Sequence, residues 1–176
     1  MNSFDINQAL RYGVSGGFGV FVLLLSFSEP QLMGRANANM VSNEWIAILL
    51  SFMIGAIVYA AYRSVLFPPI YRLACTIVGR HSSLGSIDIA RWRRLESKDS
   101  GLQKNMSEWG SQIHLLNTCA ISGLSMIFLG SQAGLSKTNF HNISLRVCLL
   151  LLLFGLISLI RYEIREMELF DGDQQP

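Results

Sequence analysis

The segment at residues 45–66 constrains the fold more than any other part of the sequence. It offers about 20 mostly apolar positions in succession, with no charge before Arg63, and that many residues are enough for a helix to cross roughly 30 Å of hydrocarbon. A helix satisfies its backbone polar groups internally, as a lipid environment requires. We expect Pro68 and Pro69 to end this helix, because proline lacks an N–H group and its ring clashes with the preceding turn.

Three further apolar segments lie at residues 10–27, 113–130 and 143–160. Their effect is visible in the composition, since only 15% of the residues are charged, whereas soluble domains carry about 25%. We interpret the first segment as a membrane helix rather than a cleaved signal peptide, because its apolar region is long and rich in glycine. The sequence therefore predicts an all-α membrane protein with four transmembrane helices and a cytoplasmic helical segment between helices 2 and 3.

Helical spacing continues beyond two of these segments. Apolar residues recur at intervals of four and three before and within the third segment, at Leu102, Met106, Trp109, Ile113 and Leu116. Because this is the period of a helix, we expect one long helix at about residues 101–130, with its first turns protruding from the bilayer. The fourth segment likewise continues as a helix through residues 161–168. The chain then divides into a first transmembrane hairpin (1–66), a basic cytoplasmic platform (67–110), a second transmembrane hairpin (111–170) and an acidic tail (171–176).

The distribution of lysine and arginine predicts the orientation of these helices. If both termini are cytoplasmic, 11 of the 14 basic residues lie on the cytoplasmic side. The remaining three, which would lie outside, are Arg35, Lys137 and Arg146. Since basic loops resist translocation, we expect four spans with both termini in the cytoplasm.

Small residues recur at helical spacing in the first two spans. Gly13 and Gly17 form a GxxxG pair, Ser51 and Gly55 repeat the spacing, and such pairs let two helices approach closely. One interpretation is an interface between copies of the chain, and the other is packing within one protomer. The residues that we assign to the oligomer interface are Gly13, Gly16, Gly17, Gly19, Ser51 and Gly55.

A polar seam runs along the third span. Thr118, Ser122 and Ser125 lie at i, i+4 and i+7 and share one helical face, which His114 extends by a turn. The seam fits a hydrated pore, but hydrogen bonding between helices explains it more simply, and hydroxyls also bond back to their own helix. The four spans contain no aspartate or glutamate, which argues against ion-coupled transport.

The cytoplasmic platform carries the densest charge. After the two prolines, an apolar stretch at residues 70–78 suits a helix that lies in the membrane interface. A basic cluster follows, and such clusters attract anionic headgroups at about 1 kcal/mol per basic residue. Its density falls far short of a nucleic-acid-binding face. The residues that we predict to dock a protein partner or anionic lipid are Arg72, Arg80, Arg91, Trp92, Arg93, Arg94 and Trp109.

The motifs of the common enzyme classes are missing from the sequence. It contains no HExxH, no GxSxG and no phosphate-binding glycine loop. The cysteines, Cys75, Cys119 and Cys148, are three in number and lack paired spacing, so neither a disulfide framework nor a cysteine metal site is indicated. We therefore expect no catalytic residues, no metal and no cofactor.

Two stretches resemble a known group of proteins. They are residues 67–72 (FPPIYR) and residues 106–109 (MSEW), and their placement between two pairs of spans is similar to small four-span membrane proteins of bacterial phage-defence operons, nearest the membrane subunit of the Kiwa system. The resemblance implies a homo-oligomeric component of the bacterial inner membrane that senses phage-induced disturbance and works with a cytosolic effector. It assigns no role to any single residue.

These observations lead to one main hypothesis and two alternatives. The main hypothesis is a non-enzymatic, homo-oligomeric membrane sensor or scaffold whose partners are a cytosolic effector protein and anionic lipids, without direct contact to nucleic acid. The first alternative is a pore-forming or holin-like effector, which the small residues and the polar seam would suit. The second is an accessory subunit of a larger transporter.

Overall fold

The computed structural model describes residues 6–27, 44–79 and 100–171. Within these ranges the elements are α1 (Ile6–Ser26), α2 (Glu44–Ala61), a π-helical turn (Tyr62–Leu66), α3 (Phe67–Val78), α4 (Ser100–Gln132) and α5 (His141–Asp171). The predicted docking residues Arg80, Arg91, Trp92, Arg93 and Arg94 lie outside the described residues, as does the acidic tail beyond residue 171.

Three helical stretches are long and apolar enough to cross a membrane. They are Ile48–Val78, Lys104–Gln132 and His141–Glu168. The all-helical membrane class is thereby confirmed. The apolar part of α1, Arg11–Ser26, is shorter, although the whole helix has 21 residues and spans about 31 Å at 1.5 Å per residue. A fourth crossing by α1 stays a prediction.

The expectation that Pro68 and Pro69 end the second helix is wrong. Leu66 and Phe67 keep right-handed helical dihedral angles, and the chain continues as α3. The reason is the π-helical turn, in which the N–H of Phe67 donates to the carbonyl of Tyr62, five residues back. This wider turn restarts the hydrogen-bond ladder, so both prolines fall in the first turn of α3, where a missing N–H is tolerated.

The two long helices of the second half have the predicted extent. The sequence pattern predicts a helix at about 101–130 and continuation of the last helix through 168, and α4 and α5 are 33 and 31 residues long. Their extra turns pack with α3. We call the group formed by α3, residues 100–112 of α4 and residues 161–171 of α5 the stem. Its base packs on a core of Ala74, Ile113 and Leu159, the last two at the ends of the apolar segments, and Trp109 and Tyr162 pack against this core.

The other long helices, α2, α4 and α5, pack around α1. Tyr12 lies edge-on to Tyr59 at 5.3 Å between ring centroids, which places the start of α1 beside the end of α2 and makes the two antiparallel. At the other end of the bundle, the N–H of Thr138 donates to the carbonyl of Ser26 at 2.9 Å. This contact joins the loop between α4 and α5 to the end of α1.

Candidate functional site

The first residue of the π-helical turn is buried in a polar cluster at the junction between the bundle and the stem. Tyr62 is 0% exposed, and its hydroxyl oxygen lies 3.1 Å from Nδ1 of His114 and accepts a hydrogen bond from Asn117 at 3.3 Å. The other ring nitrogen of His114, Nε2, lies 2.8 Å from a guanidinium nitrogen of Arg63. Because a guanidinium only donates, Nε2 accepts, and Nδ1 carries the proton that is donated to Tyr62.

Aromatic contacts hold the same turn from its other end. The ring of Phe67 packs edge-on against His114, with 4.7 Å between centroids, and against Tyr62, with 5.7 Å. The guanidinium of Arg63 lies 5.1 Å from the centre of the Phe67 ring, within the range of a cation–π contact. Both ends of the π-helical turn therefore contact one side chain of α4, His114.

The start of α1 is fastened at the same level. The guanidinium of Arg11 donates to the hydroxyl of Ser111 on α4. Arg11 and Arg63 thus place two cations beside His114, on two different helices. A concentration of arginine where apolar helices end is typical of the boundary between hydrocarbon and headgroups.

A cavity of about 200 Å³ opens below this cluster, between α3, α4 and α5. Its lining combines aromatic rings with two carboxyl groups, and consists of Phe67, Tyr71, Gly110, Ile113, His114, Leu159, Tyr162, Glu163 and Glu166. Glu163 is only 1% exposed and Glu166 only 6%. The thiol of Cys75 donates to the Glu163 carboxyl group at 3.9 Å. Buried carboxyl groups of this kind hold cationic or hydrogen-bonding groups, because burying them without such partners is costly.

These two glutamates are the functional candidates that the sequence analysis missed. The sequence pattern ends the apolar segment at residue 160 and predicts only that the charged turns beyond it continue as a helix. Leu159, Glu163 and Glu166 lie at i, i+4 and i+7, however, and therefore share the face that α3 covers. That spacing was the available signal, but only the position of α3 identifies the face as buried.

The polar seam of α4 packs within the helix bundle of a single protomer. The hydroxyl of Thr118 bonds back to the carbonyls of His114 and Leu115, at 2.8 and 3.0 Å. Ser122 is buried against Gly19 of α1, and its hydroxyl has no hydrogen-bond partner among the described residues. Within one protomer the seam therefore faces a neighbouring helix.

The small residues of α1 and α2 also lie mostly between helices of one protomer. A Cβ atom at Gly16 would overlap the carbonyl of Ser51, and one at Gly55 would overlap the carbonyl of Tyr12. A Cβ at Gly13 would meet the ring of Phe52 at 2.9 Å, and one at Gly19 would overlap Ser122. Gly17 differs, because nothing lies within 4 Å of the position of its Cβ. Of the predicted interface residues, Gly17 is the one that faces away from the rest of its own chain.

Two of the predicted docking residues fall within the described ranges. Arg72 is exposed on α3. Trp109 is half-buried on α4, edge-on to Tyr162 with 5.8 Å between ring centroids. The structure thus brings Trp109 against α5, while Arg72 points to solvent or headgroups from the stem.

Metal-binding side chains do not cluster in the part of the chain that the structure describes. There, no three histidine, cysteine, aspartate or glutamate residues are placed to share a metal ion. The cysteines, Cys75, Cys119 and Cys148, are buried and free.

Comparisons with protein-family models, with curated proteins and with solved structures give no match to the chain. Its class therefore rests on the fold and the site alone. They define a small all-helical membrane protein with at least three membrane-length helices and a stem joined to them through a polar cluster.

Proposed function

We propose that this protein is a non-enzymatic membrane scaffold or sensor whose stem docks a cytosolic partner protein. The observation that carries the proposal is that three helices continue past their apolar segments and pack on one another there. Trp109 of α4 and Tyr162 of α5, which lie beyond those segments, pack against a core of Ala74, Ile113 and Leu159 at the point where the segments end. A helix that serves only as an anchor needs no such extension. The stem offers exposed positive charge from Arg72 and Lys104, and we expect the partner to present an acidic face.

The topology that we propose has four spans and both termini in the cytoplasm of a bacterial cell, so that the stem projects from the inner membrane. The helix length of α1 and its packing between α2 and α4 support a fourth span. The charge distribution supports the orientation, since only two of the eight lysine and arginine residues in the described ranges, Lys137 and Arg146, lie near the end of the bundle that is remote from the stem.

The sensing role is supported by the polar cluster at the π-helical turn. Single π-helical turns are rare in proteins, and those that occur are often found at functional sites. This one lies where α2 passes into the stem, and both of its ends contact His114. A change in the packing of α2 within the membrane would therefore be transmitted to α3. From the spacing of small residues, we propose further that copies of the chain associate through the face of α1 that carries Gly17. From the resemblance, we propose a role in anti-phage defence.

The alternative of a pore is less well supported. A pore requires polar groups that face water, whereas Thr118 bonds to its own helix and Ser122 packs against α1. The polar seam is thus accounted for within one protomer. No contact among the described residues favours an accessory transporter subunit over a scaffold.

The docking role is testable by site-specific photo-crosslinking in membranes of the source cells. A photoreactive residue at position 72 should capture one cytosolic protein, which should also co-purify with the chain in mild detergent. A variant that combines Arg72→Glu with Arg91→Gln, Arg93→Gln and Arg94→Gln should lose that protein, while the control Arg146→Gln, at the opposite end of the bundle, should retain it. Equal capture by all variants would refute the docking role, and a collapse of the membrane potential on expression would favour the pore.

A further inference from the structure

A second, shallower groove lies on the outer side of the bundle, where α5 passes into the stem. It has a volume of about 330 Å³ and is lined by Trp109, Arg161, Ile164, Arg165 and Glu168. The side chains that α5 contributes are exposed, and Ile164 is 43% exposed although it is apolar. The groove thus combines two cations, one carboxylate, an aromatic ring and an aliphatic surface.

The groove lies at the depth of lipid headgroups. Arg161 is the first charged residue after Arg146 on α5, so the uncharged stretch between them ends at this groove. Trp109 rests edge-on against Tyr162, and tryptophan and tyrosine concentrate at the membrane–water interface. Both helices that form the groove are long and apolar enough to cross a membrane.

The charge of the groove suits a phosphate group. Arg161 and Arg165 are four residues apart and share a face of α5, and the planar guanidinium binds two phosphate oxygens at once. Two carboxyl groups lie close to the residues of the groove, and one of them, Glu168, lines it. Glu168 accepts a hydrogen bond from Arg165 at 2.7 Å, and Glu108, next to Trp109, is paired with Lys104 at 3.9 Å. Neither pairing involves the guanidinium of Arg161.

An apolar stripe leads from the groove along α5 into the membrane. The spacings that place Arg161 and Ile164 on this face continue towards the start of the helix in steps of three and four residues. From Arg161 these steps lead to four exposed hydrophobic residues, namely Ile157, Phe154, Leu153 and Leu150. One face of α5 is therefore apolar over two turns and then basic. A phospholipid has the same order, with its acyl chains followed by its headgroup.

We propose that this groove binds the phosphate headgroup of an anionic phospholipid, with the acyl chains along the exposed stripe of α5. A free phosphate would use only the arginines, whereas a lipid also uses Ile164 and the stripe. The site is separate from the docking surface of the stem around Arg72, and it holds whether or not a cytosolic partner binds there.

Native mass spectrometry of the full-length protein in mild detergent tests the site. Wild-type protein is titrated with phosphatidylglycerol, phosphatidylcholine or glycerol 3-phosphate, and the bound molecules are counted. Phosphatidylglycerol should bind in preference to the other two. The variant R161Q/R165Q should lose about 30-fold in affinity for phosphatidylglycerol, because each basic residue near an anionic headgroup contributes roughly fivefold.

Two further variants distinguish a loss of the groove from a general effect of the substitutions on folding. K137Q/R146Q removes the same charge at the opposite end of the bundle and should bind phosphatidylglycerol like the wild type. Ile164→Glu leaves both arginines in place, adds a carboxylate to the groove and should also weaken binding. The proposal is overturned if R161Q/R165Q or Ile164→Glu binds phosphatidylglycerol as the wild type does, if the K137Q/R146Q control loses as much, or if glycerol 3-phosphate binds as tightly as the lipid.

Discussion

The hydroxyl oxygen of Tyr62 lies 3.1 Å from Nδ1 of His114, so the π-helical turn is joined to the middle of α4 by a partly buried hydrogen bond. Tyr62 is the one residue of the turn that is buried, because its remaining residues, from Arg63 to Leu66, are exposed. The contact therefore ties the turn that precedes α3 to α4, at the base of the stem.

Removal of the Tyr62 hydroxyl should destabilise the protein. Tyr62→Phe leaves the donors of His114 and Asn117 without their acceptor, and an unsatisfied buried donor costs about 1–3 kcal/mol. Unfolding of the purified protein in detergent, followed by tryptophan fluorescence, measures the change. Tyr59→Phe, three residues earlier on α2, is the matched control and should change stability by less than about 0.5 kcal/mol. Equal effects of the two substitutions would contradict the importance of the hydrogen bond.

Restoring the N–H groups of the two prolines should rotate α3. With Pro68→Ala and Pro69→Ala together, an ordinary α-helix can replace the π-helical turn. The turn then closes after four residues instead of five, and this difference rotates α3 by about 100° relative to α2. Cys75, which is 1% exposed, would leave its position beside Glu163. Its reaction with a water-soluble maleimide should accelerate, while Cys148, buried near the other end of the bundle, should stay unreactive. Unchanged protection of Cys75 would mean that the prolines do not determine the turn.

Alanine at two glycines of α1 should have opposite effects. Gly16→Ala places a methyl group on the carbonyl of Ser51, and because a backbone atom cannot move aside as a side chain does, we expect a loss of about 1–3 kcal/mol. Gly17→Ala projects into open space and should be neutral or stabilise the helix by up to about 1 kcal/mol. Thermal unfolding in detergent distinguishes the two, and a comparable loss at both positions would contradict the packing of α1 on α2.

Gly17 also provides a test of self-association. Gly17→Leu should lower the oligomer mass seen by mass photometry without lowering the unfolding temperature, because the side chain would point away from its own protomer. Gly13→Leu is the contrasting variant, since it would push against Phe52 within the chain and lower stability. An unchanged oligomer in the Gly17→Leu variant would remove this face of α1 from the interface.

The hydroxyl of Ser122 should be dispensable for stability. It is buried without a hydrogen-bond partner among the described residues, and such burial is unfavourable by about 1–3 kcal/mol. Ser122→Ala is therefore expected to leave stability unchanged or to raise it, as judged by detergent unfolding. Asn117→Ala, which removes a donor to Tyr62, should lower it. A marked loss for Ser122→Ala would indicate that the hydroxyl has a partner in the assembled protein.

The sequence predicts α4 and α5 well, because a single helical period runs through both the apolar segments and the polar turns beyond them. It fails at Pro68, where the local rule that proline ends a helix is overridden by a turn that re-pairs the backbone one residue further back. It also fails at Glu163 and Glu166, since a charged residue is buried only if another element covers it. The partner of Gly16 is likewise a property of tertiary packing, and the spacing of small residues leaves it open.

Both ends of α1 form hydrogen bonds with the second half of the chain. Arg11 donates a hydrogen bond to Ser111 at one end, and Ser26 accepts one from Thr138 at the other. Hydrogen bonds therefore join both ends of α1 to the α4–α5 hairpin. Sliding of α1 along α4, or pivoting away from it, would break one or both of these contacts. α2 in turn packs on α1 through glycine contacts and is joined to α4 by the side chains of the π-helical turn, so a displacement of α2 would act on α1 and on α4.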